Sequence, residues 1–187
     1  MKNRTTFGNV WALLLAAGVS TVGLACAQNV PTPPILLPFD VAAAADPVDQ
    51  LVRIAEKRSY HVDLNIYYSN QDDMPNVRRL AGDGTRYADG RYAEPGTIVP
   101  IHLRIVVEGD RQNDQVLYDK TVATQGHYSH GFLRSDGGYY ARTIGGIVLA
   151  PGLYRVSAKV TESIPALAGI KTYLSITYDA RFPPISD

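Results

Sequence analysis

The sequence predicts an all-β fold, an antiparallel β-sandwich of immunoglobulin-like or jelly-roll-like architecture with one short helix in a long connection. Two segments, 60–68 and 99–107, place apolar residues at alternate positions. Clusters of Gly, Pro, Asn and Asp punctuate the remainder at short intervals, and helical periodicity is confined to one stretch of about two turns. The composition, 45% hydrophobic and 19% charged over 187 residues, suits a chain that buries one core.

Lys2 and Arg4 precede an apolar stretch running from Val10 to about Leu24, the charge-then-apolar order of a secretory signal peptide. The stretch is too short, and too rich in Gly and Ser, for a membrane span of roughly 20 apolar residues. Ala25-Cys26-Ala27 supports two readings. As a small-x-small site it is cut after Ala27, making Gln28 the first mature residue. Alternatively Cys26, the sole cysteine, carries the lipid of a lipoprotein. Both readings place the chain in the periplasm or on the periplasmic side of the outer membrane, and only the second gives it a membrane contact, the lipid on Cys26. Both leave the domain without a disulfide in an oxidising compartment. Lys plus Arg and Asp plus Glu each number 18, and no basic arm is present, which argues against nucleic acid as a partner. Loss of Lys2 and Arg4 makes the mature chain faintly acidic.

Residues 28–48 contain Pro31, Pro33, Pro34, Pro38 and Pro47 and read as a stiff extended tether. The expected organisation is thus a signal peptide at 1–27, a Pro-rich tether at 28–48 and a single sandwich domain at 49–187. Tyr60, Val62, Leu64, Ile66 and Tyr68 share one face of a half-buried strand, with His61, Asp63, Asn65 and Tyr67 on the other. Asp73 as N-cap and Gly82 as stop bracket a helix over Pro75–Ala81. Val99 to Val107 and Gln115 to Thr124 form an antiparallel hairpin. Ala150-Pro151-Gly152 is a turn, followed by strands over Leu153–Thr161 and Ile170–Tyr178. Six or seven short strands are expected.

The succession Arg58-Ser59-Tyr60, Gly82-Asp83-Gly84, Asp89-Gly90-Arg91-Tyr92, Tyr118-Asp119-Lys120, Gln125-Gly126-His127-Tyr128 and Pro151-Gly152-Leu153-Tyr154-Arg155 resembles an uncharacterised family of small exported proteins, often lipoproteins, of Gram-negative bacteria. The resemblance covers about residues 35–180. It implies no established activity. Some small lipoproteins of this general kind act as immunity proteins beside genes for secreted antibacterial lipases, so it implies effector neutralisation. The chain departs from the usual lipoprotein box, with Gly23 where a branched apolar residue is preferred three before Cys26.

Of the chemistry-bearing residues, His127 and His130 lie three apart in a predicted loop and lack a third ligand at metal-binding spacing. Ser129 beside His130 has no nucleophile-elbow context. The acidic loop 71–94 departs from the calcium-loop pattern and is interspersed with arginines, so turn bonds and ion pairs account for it. No metal, cofactor or catalytic residue is assigned, and the chain reads as a non-enzyme. The distinctive feature is tyrosine, 12 in all. Tyr87, Tyr92, Tyr128, Tyr139 and Tyr140 fall in predicted loops and, with Arg91 and His127, make a candidate binding surface of the aromatic and arginine type used by protein interfaces. The favoured function is a protein-interaction module. A small-ligand or glycan-binding module follows, disfavoured because the mature chain has no Trp, and a metal-dependent enzyme using His127 and His130 comes last.

Overall fold

The computed structural model describes residues 29–43, 46–109, 115–133 and 136–185. The signal peptide, Cys26 and Ala27 lie outside them. Among the described residues nine strands and one α-helix follow in order: β1 (Ile35–Pro38), β2 (Val48–Ile54), β3 (Arg58–Tyr68), α1 (Met74–Ala81), β4 (Val99–Val107), β5 (Gln115–Thr124), β6 (Ser129–Phe132), β7 (Gly138–Leu149), β8 (Gly152–Val160) and β9 (Thr172–Tyr178). They form two sheets, ordered β1-β9-β3-β7-β6 and β2-β8-β4-β5, with every pairing antiparallel. The protein is the all-β sandwich its alternation predicts, and β4 and β5 form the expected hairpin.

The apolar parity of β3 meets that of β4 across the core. Tyr60, Val62, Leu64, Ile66 and Tyr68 are all buried, as are Val99, Ile101, Leu103 and Ile105. Helix α1 begins one residue before the expected Pro75 and lays Val77, Leu80 and Ala81 into the core. Asp73 sits at its N-cap without a side-chain cap bond. Gly82, at φ +75°, ends the helix and donates its N–H to the Arg78 carbonyl.

The tether expected at 28–48 is in part structural. Ile35–Pro38 pairs with β9 along the sheet edge, and Phe39 and Val41 are buried in the core. The prolines that suggested a tether are compatible with an edge strand, because Pro38 is the terminal residue of a strand with only one neighbour. The domain therefore starts ahead of residue 49.

Strand β7 also differs from expectation, since Tyr139 and Tyr140 lie within it rather than in a loop. Its register against β3 slips between Val62 and Asp63, where Val62 faces Gly145 and Asp63 faces Thr143, leaving Ile144 as the extra residue of a bulge. The bulge reverses the parity of β7. Tyr140, Arg142 and Ile144 point inward before it, and Leu149 and the partly buried Ile147 pack on the core after it. No single alternation runs through the strand, which hid it from the sequence reading. From the opposite sheet the Tyr118 hydroxyl donates to the Ile144 carbonyl at 3.3 Å, satisfying an oxygen at the bulge.

Arg142 is fully buried at a core position. Its guanidinium donates to the carbonyls of Leu80 and Ala81 at the end of α1, of Thr97 in the following connection, and of Thr124 at the end of β5. It thus caps a helix C-terminus, where the dipole favours a cation. No carboxylate joins these bonds, and burial lowers its pKa to about 10.

Candidate functional site

The outer faces of the two sheets differ in kind. On the four-stranded sheet polar and charged groups pair with one another: His102 and Arg104 with Asp119, at 2.7 and 3.5 Å, and Arg155 with both Glu108 and Asp49, at 3.0 and 3.1 Å. These groups are substantially exposed and contribute little to stability. On the five-stranded sheet the outer face around the middle of β3 is built of tyrosines, small polar side chains and one acid, with His61 further along the strand.

That face follows from the alternate positions of β3. Cross-strand register sets Ser175 and Thr143 beside Asp63, Tyr173 and Ala141 beside Asn65, and Tyr139 beside Tyr67. The Tyr67 ring stacks on Tyr139, centroids 5.2 Å apart, and meets Tyr173 edge-on at 4.9 Å. Gly131 faces Tyr139 on β6, and a Cβ there would lie 2.7 Å from the tyrosine hydroxyl oxygen, so the glycine makes room for the ring. Asn65 donates to the Ser175 hydroxyl at 2.7 Å. Tyr128, from the turn before β6, leans over the sheet and donates its hydroxyl to Asp63 Oδ2 at 2.9 Å. Asp63, Asn65, Tyr67, Tyr128, Tyr139 and Ser175, with Leu36 on β1, line a groove of about 260 Å³.

Asp63 is the chemical centre of this groove. It is 2% exposed although it points to the outer side of the sheet. Its Oδ1 is buried with no hydrogen-bond partner among the described residues. Burial raises its pKa to about 6, against the opposing pull of the Tyr128 hydroxyl, the nearby His61 and the Thr143 hydroxyl. Tyr128 is raised in turn, first by desolvation and then by the Asp63 charge. The half-buried strand expected here is therefore buried on both sides at Asp63 and Asn65, because β3 is the middle strand of its sheet.

Of the residues expected to bind, Tyr128 and Tyr139 line this groove. Tyr140 does not. It is 2% exposed and faces the core, because adjacent strand residues point to opposite sides. His127 and His130 both pack against the Tyr140 ring, at 4.7 and 4.5 Å. His127 Nδ1 bonds the Gly82 carbonyl, and His130 Nε2 bonds the Tyr68 hydroxyl at 2.8 Å. Desolvation lowers the His130 pKa, so it is neutral at physiological pH. Among the described residues no group of three or more His, Cys, Asp or Glu could hold a metal ion.

Tyr87, Arg91 and Tyr92 sit on the connection after α1, where the Arg91 guanidinium lies 6.0 Å from the Tyr87 ring and Arg86 covers Tyr92 at 4.3 Å. The Tyr92 ring packs on Gly126, next to His127 and Tyr128. The connection thus borders the groove without lining it. The acids of this loop serve turns, Asp83 accepting from Thr85 and Asp89 from Arg91.

Sequence reasoning missed Asp63, Asn65, Tyr67 and Ser175 as site residues. A signal was present in β3, whose polar parity ends in a tyrosine and carries an acid at its middle. A larger hollow of about 620 Å³ lies beside Phe39 and Ile170, but its two charged side chains, Asp40 and Lys171, are exposed.

A crystal structure of a protein from Sulfurospirillum deleyianum matches with a TM-score of 0.63 at 22% identity, covering 79% of this chain and 98% of that one. At that identity the likeness speaks for the fold. No curated protein matches the chain. The model of a domain of unknown function, DUF5625, matches residues 36–178, from β1 to the last residue of β9. Both sheets and the Asp63 groove fall within that match, and the chain belongs to the DUF5625 family.

Proposed function

We propose that this chain is an exported, non-enzymatic binding protein of the Gram-negative cell envelope that engages another protein through the outer face of its five-stranded sheet. The observation that carries the reading is the groove in which tyrosines surround a buried acid with one unpaired oxygen. Aromatic side chains around a desolvated polar group are the usual anchors of a protein interface. The volume of about 260 Å³ is below the roughly 300–1,000 Å³ of pockets for drug-sized ligands, and suits one inserted side chain. The signal-peptide pattern of residues 1–27 supports export. The family resemblance supports a role as an immunity-type protein that neutralises a secreted antibacterial effector.

The test is affinity capture from envelope extracts with the tagged full chain, using Tyr139→Ala against Tyr87→Ala, which lies off the groove. A stoichiometric protein held by the wild type and by Tyr87→Ala, but lost with Tyr139→Ala, is the expected result. No stoichiometric protein, or one retained by Tyr139→Ala, would sink the reading.

A further inference from the structure

We propose that the Asp63 groove receives an organic cation, a guanidinium or alkylammonium head on a slender stem, as an arginine or lysine side chain of a protein partner presents it. The inference rests on the reading of this face as the binding face and names the chemistry it recognises.

Four observations point the same way. First, Asp63 is almost wholly buried, yet only Tyr128 donates to it in full hydrogen-bond geometry, on Oδ2, while the neighbouring Thr143 hydroxyl eases its charge without completing a bond to Oδ1. A carboxylate oxygen lacking donors in a desolvated site is complemented by a charged N–H group. Second, the walls are tyrosine rings, Tyr67 stacked on Tyr139 with Tyr128 leaning over them, and the negative faces of such rings attract cations. Third, no lysine or arginine lines the groove. The other groups near Asp63 are neutral hydroxyls and phenols, apart from His61 on its own strand. From the sheet side the carboxylate is eased only by His61 and the Thr143 hydroxyl, and no permanent cation pairs with it among the described residues. Fourth, the space accepts a head group and stem but not a larger ligand. A single carboxylate with aromatic walls also suits an organic cation better than a hard metal ion, which needs several oxygen ligands.

The experiment titrates the full chain with N-acetyl-arginine amide, its neutral isostere N-acetyl-citrulline amide, and free n-butylammonium, following the tyrosine ring resonances by NMR. Saturable shifts at Tyr67, Tyr128 and Tyr139 are expected with both cations, and the citrulline probe should bind at least about tenfold more weakly. Asp63→Asn should weaken cation binding by a similar factor. Affinity should rise as pH climbs through about 6, where Asp63 loses its proton. Leu36→Lys, at an exposed position on the groove wall, keeps Asp63 intact and should obstruct the probe with its own ammonium.

Equal binding of arginine and citrulline probes, wild-type affinity in Asp63→Asn, or no saturable shift with either cation would overturn the inference. Cation binding without a captured protein would leave the inference standing and remove the protein-partner reading. A partner captured through Tyr139 but indifferent to Asp63→Asn, with no cation binding, would do the reverse.

Discussion

Replacing Asp63 by Asn should stabilise the protein at neutral and alkaline pH, contrary to the usual effect of altering a buried, hydrogen-bonded side chain. The folded state holds this carboxyl near pKa 6 against an ordinary value of 3.8. At about 1.4 kcal/mol per pKa unit, ionised Asp63 destabilises the fold by about 3 kcal/mol. Because the folded pKa is raised, this stability is fully present below the unfolded value and is lost as pH climbs through about 6. Asparagine keeps an acceptor for Tyr128 but turns its amide toward the position where Oδ1 lacks a partner, and an unsatisfied buried donor costs about 1–3 kcal/mol. The expected net gain is about 1 kcal/mol near pH 8.

Urea denaturation of both proteins near pH 8 and near pH 4 separates the two contributions, since the amide penalty is pH-independent and the ionisation is not. The stability difference between the proteins should shift by about 2 kcal/mol across that range, in favour of wild type at the acid end. Protonation of His130, disfavoured in the folded state, also varies with pH but acts on both proteins and cancels. A difference that stays constant with pH, or one that moves toward the variant as pH falls, would refute the placement of Asp63 in a desolvated site.

Arg142→Lys should lose about 3 kcal/mol, because one ammonium cannot reach carbonyls from α1, the following connection and β5 together, and Arg142→Ala should lose more by adding a cavity; denaturant midpoints measure both. Gly96→Ala should be severely destabilising, since Gly96 has φ +66° and a Cβ would lie 2.6 Å from Arg142 Nη2, whereas Gly90→Ala, at φ +84° with open space around it, should cost about 1 kcal/mol. Thermal melts of the pair check the contrast. Tyr128→Phe removes the stronger of the hydroxyl contacts to Asp63 and should raise its pKa above 6, read from the side-chain carboxyl resonance in a pH titration.

β3, and β4 as far as Ile105, were legible because their core residues fall on a single face of a two-layer fold, the parity of β4 breaking only at the irregularity before Val106. Helix α1 was legible from its terminators, with Gly82 at a positive φ. β1 was masked by its prolines, and β7 by a bulge that moves its inward face from even to odd positions. The candidate site was half visible. Tyr128 and Tyr139 announced themselves as tyrosines outside the core pattern, but Asp63 lay in what reads as a solvated face. Only the crossing of Tyr128 over a central strand buries it, and that contact joins residues 65 positions apart.

The carbonyl cage around Arg142 also constrains how the molecule opens. Its oxygens come from the end of α1, from the connection before β4 and from the end of β5, while the guanidinium belongs to the middle of β7. A short amphipathic helix on a sandwich would ordinarily fray on its own, exposing only its own amides. Here its departure would strip a desolvated cation of several acceptors at once, so the helix, the connection and the strand are bound to open together. Amides at the end of α1 should then exchange with solvent at rates approaching those of β3 and β7, and the segment 95–97, from which the Pro95 and Thr97 carbonyls join the cage, should open with them.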